Sequence, residues 1–362
     1  FGVHGKGVFR LILAVNAKYV SQRHRVLISD NLGRHPLILF VLLFDATAEG
    51  LKMSGENREV TFLVSDLRGF TSLTSRLSPH EVIEIINRYF EHMVGIIARY
   101  RGTVNEFLGD GILAFFGAPL YADDDPERAV ACAIEMQNAL VAVNAEQRRL
   151  KLPELAMGIG INTGEAVVGN IGSEQRASYG AVGTPINAAY RIESFTVGGQ
   201  ILISPSTYEK VKSRVSIIGT KEVKFKGMDA PVCLYDVAGI GEPYRVFLPE
   251  KEAVPLARLN PPLPVECFAV EGKTVTDTAI AGRLTRLAKN SAEVFLDEKL
   301  PDYTNLRIVL ASPDAGGLSE LYAKILPQDK PDDSASEHRA ALQFTSVPQD
   351  TRDFLDKRQS EG

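Results

Sequence analysis

The chain has 362 residues, 45% of them hydrophobic, enough apolar side chain for two domains of ordinary size. Acids outnumber bases 45 to 40, a net charge of −5 that disfavours a nucleic-acid partner. The three cysteines are far apart and odd in number, and the six histidines form neither HExxH nor HxxxH; this argues against structural zinc or a histidine-ligated metal and fits a reducing compartment.

Residues 1–56 carry no organised pattern. Their longest apolar run, "LILFVLLF" at 37–44, falls short of the roughly 20 residues a membrane-spanning helix needs. It reads as a buried strand or the remnant of an interrupted segment. The chain begins at Phe1 rather than Met, so it reads as a fragment whose upstream sensor or membrane segment is missing.

From Arg58 the pattern sharpens. "REVTFLVSD" at 58–66 predicts an apolar strand ending on Asp66. The segment 78–100 predicts a helix, because Val82, Ile85, Ile86, Tyr89, Phe90, Met93, Val94 and Ile97 recur at helical spacing. Ser78 with Glu81 makes a capping box, and Pro79 suits the first helical position. "GTVNEFL" and "ILAFFG" then predict a hairpin joined at Gly109-Asp110-Gly111. A second helix is predicted over 123–147, with Asp125 as cap and Pro126 at its start. "AMGIGIN" and "AVVGNIG" read as another hairpin turning at Asn162-Thr163-Gly164; Gly158, Gly160 and Gly164 then serve a bulge or turn rather than a dinucleotide fingerprint.

The order strand, helix, strand, strand, helix, strand predicts a ferredoxin-like α+β sandwich (βαββαβ) with extra elements, spanning 57–241. A proline-rich linker is expected over 242–264. Residues 265–362 predict a second, mostly β, barrel-like domain with a C-terminal helix; its strands are "VECFAV", "AEVFL", "LRIVLA", "LYAKIL" and "HRAALQF", and a polar loop interrupts it at 327–338.

Asp66 ends one strand and Asp110 sits at the tip of a hairpin that can lie beside it. Neighbouring strands are roughly 4.8 Å apart, so the two carboxylates can meet one or two hard cations, and Mg²⁺ commonly uses such acids together with phosphate oxygens. The alternative, in which Asp66 caps a helix and Asp110 is a turn residue, has equal standing on spacing alone.

Four segments in order then carry a resemblance: "FLVSDLRGFTSL", "FLGDGILAFFGAP", "GIGINTGEAVVGNIGS" and "YGAVGTPINAAYRIES". Over 57–241 the chain resembles the catalytic domain of class III nucleotidyl cyclases, the adenylate and guanylate cyclases. The resemblance implies a cytoplasmic, head-to-tail homodimer with sites at the interface and two Mg²⁺ or Mn²⁺ ions per site. Asp66, Asp110 and the backbone carbonyl of Leu67 match the metal positions. Asn187 and Arg191 match an N-x-x-x-R supplied by the partner protomer; Thr184 can cap their helix, Pro185 starts it, and i,i+4 spacing puts both on one face. Backbone N–H groups around Gly69, Phe70 and Thr71 suit a phosphate cradle. Lys226 is the expected cationic contact to the terminal phosphates and Lys224 the reserve, since Met228 stands where relatives carry lysine.

Two positions bear on the base. Glu106 occupies the place where adenylate cyclases of this family carry lysine and guanylate cyclases glutamate. Carboxylate accepts only, and guanine offers N1–H and its 2-amino group as donors. Gly180, seven before Asn187, replaces the aspartate or threonine of adenylate cyclases. Both departures favour GTP, with ATP as the alternative. A catalytically inactive cyclase fold used for dimerisation or sensing is a second alternative, against which the retained Asp66, Asp110, Asn187 and Arg191 argue. No GGDEF-like segment supports a diguanylate cyclase.

Residues 265–357 resemble a PilZ-like β-barrel through "GRLTRLAKNSAEVFL" and "HRAALQFTSVPQDTRDFL". No RxxxR precedes it, and Asn290-Ser291 keep only part of the ligand motif. A packing or dimerising domain is therefore expected in place of cyclic di-GMP binding; Arg283 and Arg286 are the residues that binding would implicate.

Overall fold

The computed structural model describes residues 55–74, 77–173, 176–225, 230–250, 255–271, 274–310, 320–327 and 338–361. The apolar run at 37–44, most of the polar loop at 327–338, Lys226 and Met228 lie outside them.

β1 (Gly55–Leu67) is apolar without alternation because it is covered on both faces. Leu63 and Leu67 join the core beneath the two long helices, whereas Val60, Phe62 and Val64 join a second core on the opposite face. A tight turn leads into α1 (Phe70–Thr74) and then α2 (Pro79–Arg99). The capping box is present: the Ser78 hydroxyl accepts from the Glu81 N–H, and the Glu81 carboxylate accepts from the Ser78 N–H at 2.9 Å. Ile85, Tyr89, Phe90, Met93 and Ile97 line the buried face. β2 (Thr103–Leu108) and β3 (Gly111–Phe116) form the expected hairpin, with Gly109 and Asp110 as its two loop residues and Gly109 at φ +65°, a backbone that favours glycine.

α3 (Asp125–Arg149) differs at its start. The cap is Asp124, with no side-chain cap bond, and Asp125 is the first helical residue. The Asp125 carboxylate turns inward, accepts from the Ala122 N–H at 2.9 Å and pairs with Arg128.

The hairpin expected at Asn162-Thr163-Gly164 is absent: β4 (Met157–Ser173) runs straight through it, paired with β1 from Gly55↔Gly169 to Leu67↔Met157. Those polar residues are spent on lateral bonds. Asn162 donates to the Pro185 carbonyl at 3.0 Å, and the Thr163 hydroxyl meets those of Thr61 and Thr207. β4 pairs antiparallel instead with β5 (Arg176–Val182), from Ser173↔Arg176 to Val167↔Val182. α4 (Thr184–Ser194) then lies across β4, and this explains the glycines. A Cβ on Gly160 would sit 2.3 Å from the Glu193 nitrogen, and one on Gly158 would sit 1.9 Å from Thr196 Oγ1. They permit close helix–strand approach rather than a turn.

β6 (Gln200–Ile203) pairs parallel to β4, followed by α5 (Pro205–Val211), β7 (Val215–Val223), β8 (Val232–Ile240) and β9 (Val246–Phe247). The sheet order is β2-β3-β1-β4-β6-β8-β7, with β5 on β4 and β9 on β8. Its β2-β3-β1-β4 portion, with α2 and α3 on one face, is the ferredoxin-like unit.

β10 (Ala257–Glu271), β11 (Thr274–Val275), β12 (Ile280–Ala288), β13 (Ser291–Leu296), β14 (Asn305–Leu310), β15 (Glu320–Leu326) and β16 (His338–Ser346) make the second unit. Pairing of β10 with β14 closes six of them into a barrel, and α6 (Gln349–Glu361) follows. β10 starts at Ala257, inside the stretch expected to be linker. Pro261 and Pro262 are tolerated because they fall in the register shift between Arg258 and Leu263, where no ladder N–H is needed. Among the described residues, no helix is long and apolar enough to cross a membrane.

Candidate active site

The last residue pair between β1 and β3 is Ser65↔Ile112, so Asp66 emerges beside the hairpin tip that carries Asp110. A Cβ on Gly111 would lie 3.1 Å from the Ser65 carbonyl and 3.4 Å from Asp66 Oδ1. Glycine at 111 leaves this approach uncrowded, since a Cβ would be tight against the Ser65 carbonyl and in contact with Asp66. The Asp110 carboxylate accepts from its own N–H and that of Leu67, yet burial, and then the charge of Asp66, push its pKa up to about 6. Asp66 is 39% exposed, and Arg68 Nη1 lies 3.7 Å from it.

Two neighbouring carboxylates, one with its pKa raised partly by the other, are a donor set that a hard cation would relieve. All the ligand atoms are oxygens, which fits Mg²⁺ or Mn²⁺. No cluster of three or more His, Cys, Asp or Glu occurs among the described residues, so a cation held here would draw its remaining ligands from substrate or backbone oxygens. The turn after Leu67 bends at Gly69, φ +67°, and its N-terminal neighbour is fixed by the Arg68 N–H donating to the Ala156 carbonyl at 2.7 Å.

A second group gathers on and beside α4. Ala189, Ile192 and Glu193 face inward; Asn187 and Arg191, one turn apart, face solvent. The expected Thr184 cap is not formed: the helix begins at Thr184 itself, Gly183 is the cap residue, and no side-chain cap bond is made. Glu106 is exposed on β2, and its charge adds to the burial that pushes the Tyr190 phenol up to about 12. Gly180 lies against the same strand, where a Cβ would be 3.0 Å from Asn105 Oδ1. The Tyr190 hydroxyl is buried and has no hydrogen-bond partner among the described residues. Lys224 is exposed just past β7.

Sequence reasoning missed Asn105 and Tyr190, although each adjoins a residue it singled out. It also missed Arg68 as a tie between the two groups. From 3.7 Å beside Asp66, the Arg68 guanidinium bonds the Glu193 carboxylate, the Glu193 carbonyl at 3.1 Å and Thr196 Oγ1 at 2.6 Å. A third missed residue is Lys324 of β15, whose Nζ donates to carbonyls of Ser194 and Thr196 just past this junction. Burial, then the nearby Arg68 and Lys221, hold its pKa well below the ordinary lysine range.

Residues 53–238 match the family described as the adenylate and guanylate cyclase catalytic domain. Adenylate cyclase 1 of Rhizobium meliloti is 33% identical over 185 residues, 51% of this chain and 28% of the relative. The adenylate cyclase of Anabaena cylindrica is 32% identical over 193 residues, 51% of this chain and 38% of the relative. The chain thus spans well under half the length of these relatives. Among solved structures, the guanylyl cyclase Cya2 is 54% identical with a TM-score of 0.53, covering 54% of this chain and 100% of that one. The adenylyl cyclase CyaB from P. aeruginosa is 30% identical with a TM-score of 0.50, covering 56% and 100%.

Proposed function

Because this chain belongs to the adenylate and guanylate cyclase catalytic-domain family, we propose that it converts a purine nucleoside triphosphate, GTP in preference to ATP, into the 3′,5′-cyclic monophosphate and pyrophosphate. The observation that carries the reading is the abutting pair Asp66 and Asp110, tied through Arg68 to a helix that turns Asn187 and Arg191 outward. Outward-facing Asn187 and Arg191 suit donation to a second copy, so each of two sites in a head-to-tail homodimer takes its acids from one protomer and its helix from the other. Exposed Val167, Ile171 and Val182, on the hairpin leading into α4, offer an apolar strip for such a partner.

Asp66, Asp110 and the Leu67 carbonyl would hold two Mg²⁺ or Mn²⁺ ions, which supply charge neutralisation at the triphosphate and a more acidic ribose 3′-hydroxyl. The 3′-hydroxyl gives up its proton to solvent, its oxygen attacks the α-phosphorus in line, and the bond to pyrophosphate breaks. Backbone N–H groups at Gly69, Phe70 and Thr71 hold phosphate oxygens, with Lys226 as their cationic contact. Arg191 neutralises charge as it develops on the transferring phosphoryl group, and Asn187 orients the ribose. Glu106 accepts from guanine N1–H and the 2-amino group, and Gly180 leaves no side chain to select adenine. The 54% identity to a guanylyl cyclase, against 30–33% to the adenylyl cyclases named above, supports the same choice.

The test is turnover by the purified chain with Mn²⁺, offering GTP and ATP separately and identifying products. Dominant cyclic GMP supports the reading. Dominant cyclic AMP refutes the base assignment, and neither product from a folded dimer refutes the activity.

A further inference from the structure

The barrel is seated on the catalytic unit at the junction just described. Lys324 Nζ, 1% exposed as a residue, donates to the Ser194 carbonyl at 2.6 Å and the Thr196 carbonyl at 2.9 Å. The end of a helix leaves carbonyls without intrahelical donors and carries partial negative charge, so an amine suits it where an aliphatic side chain does not. The Ser194 hydroxyl in turn donates to the Arg191 carbonyl at 2.7 Å. Beside Lys324, Tyr303 packs edge-on against Phe195 with ring centroids 5.4 Å apart, and Lys221 Nζ lies 5.2 Å from the Tyr303 ring. On the other flank, a Cβ on Gly69 would sit 2.3 Å from Ser346 Cβ and 2.7 Å from the Thr345 carbonyl, so β16 rests on the turn that precedes α1. The barrel therefore touches both elements to which the proposed chemistry assigns roles: the turn after Asp66 and the helix carrying Arg191.

Mere adhesion between domains is achieved with apolar contact, and a buried amine is a costly way to obtain it. A donor bonded to the Ser194 and Thr196 carbonyls instead ties the last residue of the helix and the segment just after it to the barrel. We propose that Lys324 is a positioning residue for cyclisation, acting through the C-terminal end of α4 to hold Arg191 where the partner protomer's substrate needs it. This rests on the cyclase reading given above. It makes the barrel a structural part of the active site rather than an appended module.

The experiment compares the full chain with Lys324→Met, using GTP and Mn²⁺, after circular dichroism and sedimentation have established fold and dimer. The variant keeps the side-chain stem and removes the donor. Displacing a reacting group by about 1 Å can cost on the order of 100-fold, so we expect kcat to fall roughly 10- to 100-fold with KM within about twofold. In mixed dimers of an Asp110→Asn chain with an Arg191→Ala chain, one composite site stays whole, and its helix comes from the Asp110→Asn chain. Lys324→Met should cost more on that chain than on its partner, and equal losses overturn the proposal. Unchanged kcat overturns it, as does a raised KM with kcat intact; a higher kcat overturns it in favour of an inhibitory barrel. Should Lys324→Met not fold, Tyr303→Ala loosens the same junction and must give the same kcat-selective loss, or the inference fails. A wild type without turnover refutes the cyclase reading and this inference together, whereas an active wild type with an unaffected variant refutes this inference alone.

Discussion

Asp110→Asn should stabilise the metal-free protein while abolishing turnover. Burial and the neighbouring Asp66 charge raise the Asp110 carboxyl from the ordinary 3.8 to about 6. The folded state therefore binds this proton more tightly than the unfolded chain does. Below about 4 both states are protonated and nothing is lost. As pH rises through about 6 the folded state must carry an unfavourable carboxylate, and above that the destabilisation is complete. At 1.36 kcal/mol per pH unit, the rise corresponds to a ceiling of about 3 kcal/mol. Asp110 is only partly buried, so solvent screening reduces this to about 1–1.5 kcal/mol. Asparagine keeps an oxygen for the Leu67 N–H and removes the charge. In EDTA at pH 7.5, urea or thermal unfolding should show the variant more stable by that amount, roughly 2–6 °C in Tm, with the gap closing as pH falls towards 4. Saturating Mn²⁺ and nucleotide should reverse the order, since ligand binding to the folded state stabilises the wild type alone. A variant equal to or less stable than wild type in EDTA at pH 7.5, or a gap that ignores pH, refutes the picture of an Asp110 carboxylate strained by burial and by the Asp66 charge.

The remaining tests bear on other parts of the site. Asp66→Ala should remove measurable turnover with either purine triphosphate while the far-ultraviolet spectrum is retained; residual activity near wild type would end the metal assignment. Arg191→Ala should lower kcat by about 100- to 1000-fold, the loss typical of one preorganised donor, and a change confined to KM would deny it a transition-state role. Glu106→Lys should move the ratio of kcat/KM for GTP over ATP towards ATP by roughly 5- to 150-fold, as about 1–3 kcal/mol per mismatched buried contact requires; an unmoved ratio places base selection elsewhere. Gly160→Ala should destabilise the fold by about 2–3 kcal/mol in thermal unfolding, because its methyl would meet the Glu193 nitrogen and the Ala189 carbonyl, backbone atoms that cannot rotate away; wild-type stability would contradict the close helix–strand approach.

Local signals were legible where local physics decides. The α2 capping box, the Gly109-Asp110 hairpin and the apolar strand leading to Asp66 each follow from short-range pattern, and the structure contains all three. The misreadings share one cause, which is that the competing partner is distant in sequence. Asn162-Thr163-Gly164 has turn chemistry, but β1, through its ladder and the Thr61 hydroxyl, and Pro185 and Thr207 from elsewhere claim its polar groups, so the strand continues. Asp125 looks like a cap, yet Arg128 and the Ala122 N–H draw its carboxylate inward and Asp124 takes the cap position.

The same reasoning explains why the acidic pair could be found and its supports could not. Asp66 lies at the end of an apolar strand and Asp110 between two glycines at a hairpin tip, so each announces its own place. Arg68 has no such mark: it reads as a surface residue until Glu193 and Thr196, 125 and 128 positions away, are brought against it. Lys324, inside "LYAKIL", reads as the polar member of an alternating strand, which predicts solvent for it. In the fold that outward face of the barrel is where the catalytic unit sits, and the side chain is buried against carbonyls 128 and 130 positions earlier. Alternation along a strand tells which residues leave the barrel's own core. It carries no information on what waits outside, and for Lys324 what waits there is the end of the helix that bears Arg191.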